Sequence, residues 1–262
     1  MGRLRVGSVA AALLLFLLPL TLSSCDWCGC LHTPDPNWTP APIGSDEAAI
    51  YAAKIAGVPT MTAVESSGLN GRPFYWATAD NTLAFVDAEG GIVLEVVLID
   101  QMPEAATTEP PTAGAKSAAD AFMTRTGLST ADLTESSELK TVAGVSAYDF
   151  TWTDSLSSAK FMISVNPATE AVFAYADLRM DLPLALPILG HDRATAIAVG
   201  ARNVPGDQVN SATLRVDFSS GAQVSIWDVS MGVPTVDGSQ TVEQKFVVRV
   251  DALTGATTIV KS

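Results

Sequence analysis

Phe246-Val247-Val248-Arg249-Val250-Asp251-Ala252-Leu253-Thr254-Gly255 is a strand that runs into a turn. The β-branched and aromatic residues up to Val250 suit a pleated, half-buried ribbon. Asp251 can bond the backbone of its own loop, and Gly255 tolerates the positive φ that closes it. Ala256 to Val260 then returns as a second strand, so the segment reads as a hairpin. The same punctuation occurs twice upstream. Leu83 to Val86 turns through Asp87-Ala88-Glu89-Gly90-Gly91 into Ile92 to Leu98, and Phe161 to Val165 turns through Asn166-Pro167-Ala168-Thr169-Glu170 into Ala171 to Ala176.

Working outward, each hairpin follows an aromatic strand: Phe74-Tyr75-Trp76-Ala77, Tyr148-Asp149-Phe150-Thr151-Trp152 and Val224-Ser225-Ile226-Trp227. Before each of these comes an alanine-rich segment with apolar residues at i, i+3, i+4 and i+7. The sets are Ala49, Ala52, Ala53, Ala56; Ala115, Ala118, Ala119, Phe122; and Ala194, Ile197, Ala198, Ala201. Each draws one stripe down a three-turn helix. Ser45, Thr112 and Asp192 are the expected caps, and Gly57, Gly127 and Asn203 the expected left-handed ends. Such small helix faces allow close approach to a sheet, and such short helices need one to be stable. Proline-bearing segments, 101–111 and 182–190, separate the copies. Extra residues around Ser155–Ser158 and Met231–Gln240 read as loop insertions.

The predicted architecture is α+β: three tandem units over 45–100, 112–181 and 191–262, each with one helix on a small antiparallel sheet. Helix, aromatic strand and the closing hairpin around Val250-Asp251-Ala252-Leu253-Thr254-Gly255 resemble the PepSY domain, a small module of bacterial secreted and membrane proteins. The third copy matches best. The first keeps Asp87 and Gly90, and the second has Asn166 in place of the Asp and lacks the Gly. The resemblance implies binding or restraint of peptidases and protein–protein contacts in the envelope, with no catalytic residues to carry over.

The N-terminus reads as an address. Arg3 and Arg5 precede an apolar stretch from Val6 to Leu22, and Leu22-Ser23-Ser24-Cys25 ends it. These four residues resemble the lipobox of bacterial lipoproteins. That resemblance implies a signal peptide over 1–24, acylation of Cys25, and a partner in membrane lipid on the extracytoplasmic face. Two acyl chains, at about 0.8 kcal/mol per buried CH₂, hold a protein firmly where one does not. Residues 25–44, with Pro34, Pro36, Pro40 and Pro42, form the tether. Cys28, Cys30 and His32 follow closely. They offer ligands to a soft metal ion, but a Cys-x-Cys pair more often oxidises outside the cell or stays unused, and no second ligand cluster completes a four-coordinate site.

Composition bounds the rest. Of 262 residues, 48% are hydrophobic, which a packed core needs, and the net charge of −13 disfavours nucleic acid as a partner. No cofactor motif is present: no phosphate loop, dinucleotide turn or His-Glu-x-x-His. Of the two histidines, His32 lies in the tether, and His191 beside Asp192 reads as a surface residue at a helix start. No catalytic residue and no metal site is assigned. Trp76, Trp152 and Trp227 recur at one point of the unit and read either as homologous core residues or as an aromatic binding face. The expected function is a non-enzymatic binding module for a protein or peptide. The alternative is a sensory lipoprotein with a small molecule between repeats.

Overall fold

The computed structural model describes residues 42–66, 72–156, 158–180, 182, 184–217, 223–237 and 240–261. The signal segment, Cys25, Cys28, Cys30 and His32 lie outside them. Among the described residues the chain is α+β, with three helices and two antiparallel sheets. Helix α1 (Ser45–Ala56) precedes β1 (Thr62–Ser66), β2 (Phe74–Ala79), β3 (Thr82–Asp87) and β4 (Val93–Leu98). Helix α2 (Ala113–Thr126) precedes β5 (Thr134–Val142), β6 (Val145–Thr153), β7 (Ala159–Val165) and β8 (Val172–Asp177). Helix α3 (His191–Arg202) precedes β9 (Gln208–Asp217), β10 (Val224–Asp237), β11 (Gln240–Asp251) and β12 (Thr257–Lys261).

The helix ends follow local chemistry, with two shifts from expectation. Gly44, not Ser45, caps α1, and the Glu47 carboxylate accepts from its N–H at 3.2 Å. Gly190, not Asp192, caps α3, whereas Thr112 caps α2 by accepting from the Ala115 N–H at 3.0 Å. Gly57, Gly127 and Asn203 take left-handed conformations, as their small or amide side chains permit. Of the predicted stripes, Ala52, Ala53, Ala56, Ala115, Ala119, Phe122, Ala194 and Ala198 are buried, Ala49, Ala118 and Ile197 are only partly so, and Ala48 rather than Ala49 opens the buried face of α1. Ala201 is exposed, so the third stripe is shorter than predicted.

The expectation of one helix on each small sheet needs correction. The first eight strands form a single sheet in the order β1-β2-β3-β4-β8-β7-β6-β5, and it carries both α1 and α2. The seam is an antiparallel pairing of Glu95, Val96 and Val97 with Ala176, Tyr175 and Ala174. Edge strands expose unpaired backbone groups, and β4 and β8 are buried along nearly their whole length. Joining them removes two such edges and leaves the more polar β1 and β5 at the rims. The remaining strands form a second sheet, β12-β11-β10-β9, under α3. The predicted insertion at Met231–Gln240 is no loop: it extends the β10–β11 hairpin, whose pairing continues to Asp237 and Gln240.

Period-two alternation gives the large sheet two buried faces. Tyr148, Phe150 and Trp152 point to the helix face, with Ala77, Val86, Val96 and Tyr175. Val145 and Ala147 point to the other, with Val97, Phe173 and Ala176. There they meet Trp227, Val229, Met231, Val248 and Val250 of the second sheet. The part of the predicted spacer from 184 to 190 belongs to this core, because Leu186, Ile188 and Leu189 are buried in it.

Candidate functional site

The three tryptophans do not share one face. Trp152 lies in the helix-side core, whereas Trp76 points the opposite way and packs on Phe85 with ring centroids 4.8 Å apart. Trp227 sits between the sheets, 1% exposed, and its Nε1–H donates to the Leu189 carbonyl at 2.7 Å. Trp152 and Trp227 are core residues and Trp76 is partly buried on the opposite face of the large sheet, so the three form no common aromatic face. His191 is the first residue of α3. Its side chain is half exposed, its Nδ1 lies 2.8 Å from the Asp192 carboxylate, and its ring meets the edge of Trp227. Among the described residues no nucleophile bonds to it. The buried Ser164 hydroxyl donates to Asp149 across the β6–β7 pair, and burial pushes the Asp149 carboxyl above its usual range. A metal-capable group of three or more His, Cys, Asp or Glu side chains is not found among the described residues.

The recurrent turn residues build hairpins. The Asp87 carboxylate accepts from the Gly90 N–H (2.8 Å) and from Arg72 Nε (2.7 Å). Asn166 accepts from the Ala168 N–H, and Asp251 from the Leu253 and Thr254 N–H groups. Helix N-termini, which favour anions, are served by the protein's own carboxylates. Glu47 covers α1. Glu170 accepts from the Thr112 hydroxyl at the start of α2. Glu104, from the segment between the first two groups of strands, accepts from the Asp192 and Arg193 N–H groups at 3.2 and 2.7 Å. Burial raises the Glu104 carboxyl while those two bonds oppose the shift.

What remains is a cleft on the helix face, over the seam. One wall is Ile50, Tyr51, Lys54 and Ile55 of α1. The β3–β4 turn at Gly90, Gly91 and Ile92 and the end of α2 at Thr126 and Leu128 form the others. Val93 and Tyr175 lie at its base, and Asp177 and Arg179 close one side. The cavity measures about 170 Å³. The polar groups inside are already matched: Arg179 donates to Asp177 from Nε (2.9 Å) and Nη2 (2.6 Å), and the Thr126 hydroxyl to the Phe122 carbonyl. Arg125 ties the two helices together by donating to the Lys54 and Ile55 carbonyls at 3.3 and 3.1 Å, a cation at a helix C-terminus. Gly91 has a φ of 66°, and a Cβ there would meet the Tyr51 ring at 2.7 Å, so the turn needs glycine for the ring to lie against it.

Beside the cleft, Ile50 is 60% and Tyr51 39% exposed. Sequence reading passed over both. Their signal is an Ile-Tyr pair on the outer side of a helix whose inner stripe is all alanine. A second hollow of about 640 Å³, polar and more open, lies where α1 ends, lined by Thr60, Thr78, Asp80, Asn81 and Asp100 among others. There the Asn81 amide donates to both Asp100 oxygens.

Comparison with known proteins adds little. No family model and no curated protein matches the chain. Among solved structures it is similar to the Bacillus megaterium YpeB C-terminal domain, at 13% identity over 84% of this chain and 98% of that one, with a TM-score of 0.41. So loose a superposition carries no inference about activity or partners, and the site stands on its own geometry.

Proposed function

We propose that this chain is a non-enzymatic, membrane-tethered module that binds a protein or peptide through the cleft between α1 and the end of α2. One observation carries the reading: an exposed Ile50–Tyr51 pair borders an apolar cleft. A cavity of about 170 Å³ is small beside the roughly 300–1,000 Å³ of small-molecule pockets. It suits a single apolar side chain anchored from a longer partner, which is how compact hot spots work. Lys54 at its rim makes no ion pair among the described residues and offers an ammonium to a carboxylate next to that anchor.

In this reading the stretches 45–100, 112–181 and 191–262 are three PepSY-like units, and residues 25–44 are a tether held in the membrane by acylated Cys25, after removal of 1–24. Three runs of one helix followed by four strands, each with Asp or Asn opening its last hairpin, support the unit boundaries. A peptidase is the partner class that the PepSY resemblance implies. A second reading, small-molecule sensing, draws on the polar hollow at the end of α1.

The test is selection of random peptides on the mature chain, followed by affinity measurement against Ile50→Glu and Tyr51→Glu. Both changes lie on an exposed helix face and should leave the melting temperature nearly unchanged. Peptides that share an apolar anchor and bind at least ~10-fold more weakly to both variants, a loss of about 1.4 kcal/mol, would fit the cleft reading. Peptides that bind the variants as well as the parent would sink it.

A further inference from the structure

Glu95 is a carboxyl with almost no access to water. It lies on β4 at the first position of the seam, in register with Phe85 of β3 and Ala176 of β8, and is 2% exposed. Both partners are on the face turned toward the second sheet, so the Glu95 side chain points there too. It meets the start of β10. Oε2 accepts from the Gln223 amide at 2.7 Å, and Oε1 has no hydrogen-bond partner among the described residues.

Gln223 is the bolt of this contact. Its Oε1 accepts from the Ala185 N–H at 3.0 Å, which directs Nε2 toward Glu95 and toward the Ser225 hydroxyl. Ser225 in turn accepts at its carbonyl from the Ala252 N–H, in the β11–β12 turn. One amide thus joins the large sheet, the 184–189 segment and the second sheet.

Among the described residues no cation bonds to the carboxyl. β3 presents Phe85, β8 presents Ala176, β10 presents Gln223 and Ser225, and the covering segment presents Leu184 and Ala185. Asp177, next along β8, lies on the cleft face with Arg179. Asp87, two residues beyond Phe85 on the same face of β3, is engaged by Arg72, and among the described residues no charged side chain bonds to Glu95. A buried carboxylate with one neutral donor and no counter-charge is strongly disfavoured. Accordingly, burial pushes the Glu95 carboxyl up to about 8, with the Gln223 bond opposing the shift.

We propose that Glu95 and Gln223 form a proton-dependent latch that holds the second sheet against the first. The protonated carboxyl keeps the start of β10 docked. When the carboxyl is ionised, its charge is satisfied only by water, which requires β10 and the 184–189 segment to lift. The direction follows from linkage. The docked state binds the proton more tightly than an opened, hydrated one, whose carboxyl titrates near the ordinary 4.5. The latch is tightest below about 4.5 and weakens as pH rises to about 8, opening roughly 10-fold more per unit in between, and levels off above. Neither the binding cleft nor the tether enters this inference.

Hydrogen exchange on the mature chain from pH 5 to 9, corrected for intrinsic rates, reads the latch directly. In the parent, the amides of Ala185, Leu186, Ile188, Leu189 and residues 223–227 should lose protection by about 10-fold per pH unit up to about 8. Glu95→Gln keeps the shape and a hydrogen-bonding side chain but cannot ionise, so its protection there should not change with pH. A carbon-13 titration of the glutamate carboxyls, with Glu95 assigned by its loss in the variant, tests the same idea without relying on the variant's fold. A Glu95 midpoint near 4.5 in the folded parent, or equal pH dependence in parent and variant, would overturn the latch.

Discussion

Replacing Trp227 by Phe separates a hydrogen bond from the burial around it. The indole is enclosed between the sheets, and its N–H donates to the Leu189 carbonyl at 2.7 Å within the core. Phe keeps the aromatic packing but removes that donor. An orphaned buried carbonyl costs about 1–3 kcal/mol. The void left by the smaller ring, roughly 40 Å³ at about 24 cal/mol per Å³, adds about 1 kcal/mol. Urea unfolding followed by circular dichroism should therefore show a loss of about 2–4 kcal/mol with an unchanged slope. Trp152→Phe is the internal control. Trp152 is also buried, but among the described residues its indole makes no hydrogen bond, so that change should cost the void alone, about 1 kcal/mol. Equal losses at the two positions would refute the account, because they would mean that the Leu189 bond contributes nothing beyond packing.

Two further perturbations probe the fold. Ala52→Leu places a large side chain where α1 lies flush on the sheet, and overpacking should destabilise by about 1–3 kcal/mol in the same urea assay. The same change at exposed Ala201 should be within about 0.5 kcal/mol of neutral. Asp87→Ala removes the acceptor for Arg72 and the Gly90 N–H, and thermal unfolding should report a loss of about 2–3 kcal/mol, discounted because Arg72 can turn to water. Asp87→Asn, which keeps an acceptor for Gly90, should recover part of it.

Much of the local structure was legible in the sequence, because it depends on neighbours a few residues apart. The alanine stripes, the left-handed stops at Gly57, Gly127 and Asn203, and the Asp or Asn that opens each last hairpin all follow from side-chain shape and short-range hydrogen bonding. The α+β class follows from that pattern of elements. Tertiary structure decided what pairs with what. Nothing near β4 or β8 in the chain specifies that Val96 meets Tyr175, since strands of this kind can end a sheet or continue one; the choice rests on burying two edges together. That choice puts α1 beside the end of α2, and so makes the cleft at Ile50, Tyr51 and Leu128. The same long-range packing turns the 184–190 segment from a spacer into core. It also gives Glu95, which reads as an ordinary charge within an apolar strand, surroundings that disfavour its charge. Residue type sets which bonds a side chain can make, but its burial and its distant partners arise only when the two sheets close on each other.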